Sequence, residues 1–348
     1  MISSLPDLQN LAYLQGDGPW ADQVIWSRAD VCRNYEGLAF PHLNHDGECD
    51  EADERLFTSA AAVPGLAGAE PLALAGLERE EILRARESGL ISRDQLKGLA
   101  AGPSCLTGPD AGLVIRTQDR DHVRIVARCS GLDPRAAMRS ALGVERRVER
   151  VVDFAYDDRF GYLTAEPARC GTGLALGCLV HLPALGYTGS ASEALNDLTE
   201  QGLSTRGWYE SDGRARGDLF VVRSRRSLGR SEKAMVEEFI RLTARLVGLE
   251  TAAREILLAE RRLEVEDRAH RAVAMLRHGR LMPLDEAYDH VSFARFGVSN
   301  GLVAGPDTAD WNRLLVALRP GHLGTHPVRN DPETDLVARA VHLRKFFA

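Results

Sequence analysis

The stretch GLVIRTQDRDHVRIV, residues 112–126, predicts how the chain pairs with itself. Its two ends, 112–115 and 123–126, are short and rich in β-branched residues, as strands are. The residues between them, 117–121, are polar enough to form a hairpin turn. Strands joined by so short a loop pair antiparallel, because a parallel crossover needs about a dozen residues. The stretch therefore predicts an antiparallel hairpin.

A third predicted strand, 219–222, is followed by a helix that begins after Ser231. Serine is a favoured N-cap residue, and Glu232 in the first turn suits the helix dipole. Apolar residues then recur on one face of this helix, namely Val236, Phe239, Ile240 and Val247. Strands and helices without a strict βαβ alternation predict an α+β domain that ends near residue 250.

The regions on either side of this domain have a different character. Residues 1–75 mix short helical stretches with Gly and Pro breaks. From Ala253 onward the chain reads as helical, with prolines at the joints at positions 283, 306, 320 and 327. We therefore expect a small N-terminal part at 1–75, a sheet domain at 76–252 and a helical C-terminal domain at 253–348.

The composition excludes several classes of protein. Of 348 residues, 44% are apolar and 27% are charged, which is enough to bury a sizeable core and excludes a disordered chain. The six cysteines form no CxxC pair, and the N-terminus MISSLPDLQN lacks the basic and apolar regions of a secretory signal. No uninterrupted apolar run approaches a membrane span, and the net charge of −7 argues against bulk nucleic-acid binding. We expect a reduced, cytoplasmic protein with neither a membrane nor a nucleic acid as partner.

Residues 206–230 are locally basic, with seven arginines against three acids. Arginine suits phosphate recognition, because its planar guanidinium donates paired hydrogen bonds to oxygens. A solvated basic loop explains the same composition and is the commoner case. The residue types alone leave both interpretations open.

We predict no metal site. His122 lies beside Asp119 and Asp121, but no second histidine stands at metal-ligand spacing. The acidic cluster within residues 46–54, which includes Asp46 and Glu48, lacks the alternating ligands and central glycine of a calcium loop. Carboxylates at a helix N-terminus explain it better.

Three longer segments carry a family resemblance. The first is WSRADVCRN at 26–34, leading to Phe40-Pro41; the second runs from GYLT at 161–164 to HLPAL at 181–185; the third runs from TRG at 205–207 to SLGRSE at 227–232. In this order and spacing they resemble the guanidino (phosphagen) kinase family. The closest branch is the bacterial protein arginine kinase, which phosphorylates arginine side chains of other proteins with ATP. Residues 284–287 and 293–298 resemble the C-terminal domain of that branch.

The resemblance implies a small helical N-terminal part, a mostly antiparallel sheet flanked by helices, and a helical C-terminal domain. It also implies ATP and Mg²⁺ as cofactors, where nucleotide binding is retained. In this family arginines clamp the nucleotide phosphates, and the matching residues here are Arg28, Arg124 and Arg206. Glutamates orient and deprotonate the guanidinium, and a cysteine sits beside it.

Several positions depart from the family pattern. Arg120 stands at the position of the catalytic glutamate, Glu166 at that of the reactive cysteine, and Ser211 at that of a second glutamate. Asp30 and Ala175 stand at positions where the family has arginines, and Gly89 stands at the position of a histidine. In the tail, Arg339 matches half of the branch's phosphoarginine-binding motif. The resemblance therefore implies a scaffold with no intact catalytic set.

These departures favour a pseudokinase that binds a protein partner, either arginine-rich or arginine-phosphorylated, with little or no phosphotransfer. The alternative is an active protein arginine kinase in which Glu166 or Glu210 acts as a surrogate base. A third interpretation is a binding module unrelated to phosphate. Dimers occur in the family, so a homodimer is compatible with the sequence.

Overall fold

The chain folds around one antiparallel sheet of eight strands, in the order β2-β3-β4-β5-β1-β8-β12-β9. The computed structural model describes residues 5–43, 49–97, 102–211, 214–324 and 332–348. The strands of the large sheet are β1 (Val24–Arg33), β2 (Leu72–Ala73), β3 (Ser104–Thr107), β4 (Leu113–Thr117), β5 (Val123–Ser130), β8 (Leu174–His181), β9 (Leu203–Gly207) and β12 (Leu219–Ser224). Two small ribbons pair β6 (Tyr156–Asp157) with β7 (Gly161–Tyr162) and β10 (Glu210–Ser211) with β11 (Arg214–Ala215).

Helices flank the sheet and form the whole C-terminal region described. In the first two thirds of the chain they are α1 (Asp50–Ala60), α2 (Arg79–Glu87), α3 (Arg93–Lys97), α4 (Pro134–Val148), α5 (Pro183–Thr188) and α6 (Ala191–Glu200). The rest are α7 (Glu232–Glu260), α8 (Arg262–His278), α9 (Leu284–Ser299), α10 (Thr308–Ala317), α11 (Pro320–Leu323) and α12 (Pro332–Phe346). The predicted α+β class with an antiparallel sheet is confirmed.

The predicted hairpin is the pair β4 and β5. These strands are antiparallel neighbours, with Thr117 opposite Val123 at the turn. The turn is closed by the N–H of Gln118, which donates to the carbonyl of His122 at 2.9 Å. The predicted third strand and helix are also present, and the Ser231 hydroxyl accepts from the N–H of Ala234 to cap α7.

The two faces of the sheet differ in chemistry because side chains alternate along each strand. On β1, Ala29 and Val31 are buried in an apolar core together with residues of α4 and α7. Arg28 and Asp30 alternate with them and therefore lie on the opposite face. That opposite face also carries apolar residues, which pack with the N-terminal segment and the C-terminal helices, among them Val114, Val126, Leu179 and Val221.

The C-terminal helices are hydrogen-bonded to the sheet domain. Arg295 on α9 donates to the carbonyl of Asp22 at 2.9 Å and lies 2.8 Å from Nδ1 of His181. Nε2 of the same histidine lies 2.8 Å from the hydroxyl of Ser292. The predicted boundary at 252/253 falls inside the continuous helix α7, so the division into domains stays a prediction. Among the described residues, no helix combines the length and apolar character that a membrane crossing would need.

Arg33, which matches the family pattern, points away from the charged face and has a structural role. Its Nε donates to Glu145 of α4 at 3.0 Å, and its Nη1 donates to the carbonyls of Cys32 and Thr172. The guanidinium also lies 3.5 Å from the centre of the Tyr162 ring. Both members of the Arg33–Glu145 pair are buried. A buried ion pair is costly to break on one side only, because the remaining charge loses its partner.

We predict that Glu145→Ala lowers the free energy of unfolding by about 3 kcal/mol, because it leaves the buried Arg33 guanidinium without a counter-charge. Urea denaturation followed by circular dichroism measures this change. The matched control is Glu237→Ala, an exposed glutamate of α7, which should change stability by less than about 0.5 kcal/mol. Equal effects of the two substitutions would contradict the structural role of this pair.

Candidate functional site

Six arginines share the charged face of the sheet. Directly opposite residues of antiparallel neighbours point to the same face, and the register therefore groups arginine side chains from five strands. Arg28 lies opposite Arg128 of β5 and opposite Gly177 of β8, which in turn lies opposite Arg223 of β12. The same face carries the other three arginines, namely Arg116 and Arg124, which are opposite each other on β4 and β5, and Arg206 on β9.

Asp30 lies in the middle of this arginine face and neutralises part of it. Arg28 donates to Oδ1 of Asp30 through Nε at 2.9 Å and through Nη2. Arg223 donates to Oδ2 at 2.9 Å. Burial alone would raise the pKa of Asp30, but Arg28, Arg223 and Arg124 outweigh it and hold that pKa well below its usual range. Asp30 is therefore a permanent anion that binds two of the arginines.

Arg124 is also paired within the protein. Its Nη1 lies 3.3 Å from Oδ2 of Asp119 in the turn of the hairpin. Burial opposes its charge, but Cys32, Asp119 and Asp30 outweigh this and raise the pKa of Arg124. Arg28, Arg124 and Arg206 thus lie on one face, although Arg28 and Arg124 already have carboxylate partners. Their binding of a nucleotide phosphate stays a prediction.

A cavity of about 160 Å³ opens above the arginine face. Arginines from other elements complete its lining, Arg86 from α2 and Arg319 from the turn before α11. Arg86 and Arg206 are exposed, and neither guanidinium group has a hydrogen-bond or ion-pair partner among the described residues. Among the described residues, only Glu87 contributes a carboxylate to the lining of the cavity. We call this space the arginine cavity.

A second cleft, of about 530 Å³, is lined by Arg120 and Glu166, which the sequence pattern predicts to stand at catalytic positions of the family. Arg120 donates from Nε to Oδ2 of Asp94 at 3.0 Å, and its Nη1 lies 3.9 Å from Oε2 of Glu166. The same oxygen of Glu166 lies 2.9 Å from Nε of Arg169. Asp119 lines this cleft as well. We call it the Arg120 cleft.

The other departures from the family pattern fall on or near the arginine face. Ala175 lies opposite Asp30 on β8, so two positions where the family has arginines are neighbours here. The carbonyl of Gly89 accepts hydrogen bonds from Arg116 and Arg128. Ser211 ends β10, and its side chain lies outside the described part of the chain.

The candidate metal ligands are structural. Nδ1 of His122 accepts from the N–H of Tyr35 at 3.2 Å, and burial lowers the pKa of His122 to about 4. Asp50, Glu51 and Asp53 occupy the first turn of α1, as a helix start predicts. Asp46 and Glu48 lie outside the described residues. Within the described ranges no group of three or more histidine, cysteine or carboxylate side chains is arranged to hold a metal ion.

Sequence reasoning missed five arginines that line the cavity or its face, namely Arg86, Arg116, Arg128, Arg223 and Arg319. Arg223 belonged to the basic stretch 206–230, but nothing local separated it from the other arginines there. A signal did exist for Arg116 and Arg128 in the predicted hairpin. Arg128 lies an even number of residues from Arg124 along the same strand, and Arg116 lies directly opposite Arg124, so both share its face. Arg319 lies far away in sequence, and only the packing of the C-terminal helices brings it to the cavity.

Arg339 in the tail is completely enclosed. Its Nε donates to the carbonyl of Leu318 at 2.9 Å, its Nη1 to that of Met282 at 2.9 Å, and its Nη2 to Asp335 at 2.6 Å. Its side chain has no exposed surface. Phosphoarginine binding at Arg339 stays a prediction, and it would require these three hydrogen bonds to open.

We expect Arg339→Ala to lower the free energy of unfolding by about 3 kcal/mol, because two buried carbonyls and a carboxylate lose their donor. Lys345→Ala, an exposed position on the same helix, is the control and should be nearly neutral. Chemical denaturation measures both. The opposite result, normal stability with loss of phosphoarginine binding, would indicate a ligand site at Arg339.

Glu87 gives the arginine cavity a pH dependence. Burial raises the pKa of Glu87 to about 7, although Arg319 and the N–H of Gly321 oppose the shift. Below pH 7 this group is neutral and the cavity gains one positive charge. The nearby His322 does not contribute, because burial lowers its pKa to about 4. Of the other charged groups near Glu87, Arg86 lowers its pKa and Asp335 raises it.

We therefore expect sulfate to bind this cavity roughly fivefold more tightly at pH 6 than at pH 8, which corresponds to about 1 kcal/mol for one added charge near the anion. Sulfate is the appropriate probe because its own charge is constant over this range. Isothermal calorimetry at the two pH values measures the ratio. Glu87→Gln should bind equally at both, and an unchanged pH dependence in that variant would rule out Glu87 as the titrating group.

Comparison with known proteins agrees with the architecture. Residues 56–253 match the ATP:guanido phosphotransferase C-terminal catalytic domain, and residues 262–348 match the protein-arginine kinase McsB C-terminal domain. The protein-arginine kinase of Moorella thermoacetica is 33% identical over 324 residues, covering 90% of this chain and 91% of that protein. The one from Symbiobacterium thermophilum is 34% identical over 346 residues, covering 95% of each.

Solved structures show the same fold at lower identity. A lombricine kinase superposes with a TM-score of 0.57 and 21% identity, over 72% of this chain and 71% of that one. The duplicated taurocyamine kinase of Schistosoma mansoni gives 0.57 and 19%, and the match covers 72% of this chain but only 36% of that longer one. Together with the domain matches and relatives above, these findings show that the chain belongs to the ATP:guanido phosphotransferase family, in its protein-arginine kinase branch.

Proposed function

We propose that this chain is a pseudokinase, a protein-arginine-kinase-like scaffold that recognises a phosphorylated protein partner and transfers little or no phosphate. One observation carries the proposal. Three carboxylates line the Arg120 cleft, and each already has a cationic partner from the chain itself. Glu166 is beside Arg169 and Arg120, Asp94 beside Lys97 and Arg120, and Asp119 beside Arg124.

Arginine phosphorylation needs a free carboxylate in this cleft. A guanidinium is protonated at neutral pH and becomes a nucleophile only when a base orients it and accepts a proton. General-base catalysis of this kind contributes about 10²–10⁴ in rate. Here Arg120 brings its own guanidinium between Asp94 and Glu166. An arginine substrate would have to compete with that internal cation for the same carboxylates.

The size of the arginine cavity supports the same proposal. In active members ATP supplies the phosphoryl group, but the arginine cavity holds about 160 Å³, whereas sites for drug-sized ligands occupy about 300–1,000 Å³. Its arginines suit phosphate oxygens, and the space that they enclose is smaller than a whole nucleotide.

The cationic cavity favours an arginine-phosphorylated partner over an arginine-rich one, because it would repel additional guanidinium groups.

We further propose a cytoplasmic location. The six cysteines are all unpaired, as is usual in a reducing compartment. A homodimer stays a prediction.

We predict that the natural chain, incubated with ATP, magnesium and an arginine-rich protein, phosphorylates arginine at least about 10²-fold more slowly than the Moorella thermoacetica protein-arginine kinase. Quantitative mass spectrometry of phosphoarginine measures the rates. The fourfold variant Arg120→Glu, Glu166→Cys, Ala175→Arg and Ser211→Glu restores the family residues and should raise the rate of the natural chain.

The decisive control for the alternative function is Glu166→Gln. Rapid ATP-dependent arginine phosphorylation by the natural chain, abolished by this substitution, would establish an active kinase with a surrogate base. Slow phosphorylation that Glu166→Gln leaves unchanged would support the pseudokinase. The exposed Glu193→Gln on α6 controls for the loss of one surface carboxylate.

A further inference from the structure

The outer surface of α4 carries a basic groove on the side of the sheet away from the arginine cavity. Ala137, Ala141 and Val144 of this helix pack into the apolar core, so its exposed residues face away from the sheet. The groove beside these exposed residues has a volume of about 550 Å³. Four arginines line it, namely Arg139, Arg146, Arg147 and Arg150. We call this space the α4 groove.

The charge of the α4 groove is not neutralised from within the chain. All four arginines are exposed, and none of their guanidinium groups has a hydrogen-bond or ion-pair partner in the described part of the chain. Within that part, the lining contains no carboxylate. The helix dipole favours Arg146 and Arg147 in the last turn of α4, but it does not favour Arg139, which lies nearer the N-terminus. By contrast, the guanidinium groups of Arg28 and Arg120 each lie beside a carboxylate of the chain.

Small and aliphatic residues complete the α4 groove. Ser140 and Gly143 line it on the helix, and a Cβ atom on Gly143 would meet nothing from the rest of the chain within 4 Å. The hydroxyl of Ser59 donates to the carbonyl of Arg147 at 3.2 Å and so attaches α1 to the end of α4. The segment after α1 and the start of β4 supply the aliphatic lining, namely Ala62, Val63, Pro64 and Leu113. The groove therefore combines open space, aliphatic contacts and positive charge.

This lining suits an acidic peptide better than a nucleic acid. Proteins that bind single-stranded nucleic acids stack bases on aromatic side chains, and among the described residues the groove is lined by none. The net charge of −7 also opposes a long polyanion. Carboxylates form charge-assisted hydrogen bonds with guanidinium groups. Aliphatic side chains between the carboxylates can contact Val63 and Leu113, which are half-buried.

We infer that the α4 groove is a docking surface for an acidic segment of another protein, one in which aliphatic residues lie between the carboxylates. The groove and the arginine cavity lie on opposite sides of the sheet. Docking here therefore needs no phosphate, and the inference goes beyond the proposed function. Its failure would leave the proposed loss of phosphotransfer untouched, because phosphoarginine formation tests that proposal separately.

The test is a titration of the full chain with fluorescein-labelled probes, followed by fluorescence anisotropy. The first probe is a ten-residue peptide of six glutamates and four leucines. The controls are the same peptide with glutamine in place of glutamate, and a ten-nucleotide strand of deoxythymidine. We expect the acidic peptide to bind at least about tenfold more tightly than either control. Equal or tighter binding of the neutral peptide or of the oligonucleotide would overturn the inference.

The double variant Arg139→Ala, Arg146→Ala tests whether the α4 groove is the site. Both side chains are exposed, and neither guanidinium group has a partner in the described chain on which folding depends. Binding of the acidic peptide should weaken at least about tenfold. The matched control is Arg262→Ala, Arg280→Ala, which removes the same two charges from exposed positions in the C-terminal region and should have no effect. Equal weakening by the two variants would mean nonspecific attraction and would overturn the inference.

Gly143→Leu tests the shape of the groove without changing its charge. The new side chain extends into open space, and replacing a glycine inside a helix favours the helix, so this variant should fold. It should weaken binding of the acidic peptide at least about tenfold, because leucine occupies the space beside the arginines. The matched control is Gly248→Leu on α7, where a Cβ atom would likewise meet nothing within 4 Å, and it should bind normally. Normal binding by Gly143→Leu would contradict the docking surface.

The other occupant to be tested is a second copy of this chain. Analytical ultracentrifugation compares the natural chain with the double variant Arg139→Ala, Arg146→Ala. We expect the same oligomeric state for both. A dimer that dissociates in the double variant would show that a second copy fills the groove, and the inference of an acidic partner would then be wrong.

Discussion

The buried carboxylate of Asp30 is the constraint on which the arginine face depends. Two guanidinium groups, from Arg28 on its own strand and Arg223 two strands away, share its two oxygens. Like charges held together in a partly buried space repel one another, and burial together with its arginine neighbours lowers the pKa of Arg116 to about 9. An internal anion at Asp30 allows this concentration of arginines to remain folded without a bound ligand. Asp30 also accepts hydrogen bonds that Arg28 and Arg223 could otherwise donate to the phosphate groups of a ligand.

The Arg120 cleft is also neutralised from within the chain, but there an arginine pairs with surrounding carboxylates. The Arg120 guanidinium lies beside Glu166, and Glu166 also lies beside Arg169. Both clefts of this chain are therefore partly satisfied by their own residues. A site that must wait for substrate keeps its charges unpaired, at a cost in stability. Here the internal pairs reduce that cost.

The C-terminal helices contribute to the site as well as to stability. Hydrogen bonds from Arg295 join α9 to the end of β8 and to the segment before β1. This attachment brings the turn before α11, and with it Arg319, to the arginine cavity. The volume of the cavity is thus set partly by a region that the sheet domain does not contain. A change in the packing of these helices would alter the cavity directly.

The sequence by itself determined the antiparallel hairpin, the capped helix after Ser231 and the α+β class, because these follow from local periodicity and loop length. It also singled out Arg28, Arg124 and Arg206, which share one face of the sheet, while their phosphate-binding role and the replacements at Arg120 and Glu166 stay predictions. Only the tertiary structure decided which charges neutralise one another. Asp30 and Arg223 are 193 residues apart, and their pairing depends on the strand order β1-β8-β12. The place of Arg319 in the cavity lining likewise depends on the packing of the C-terminal helices, which local sequence does not specify.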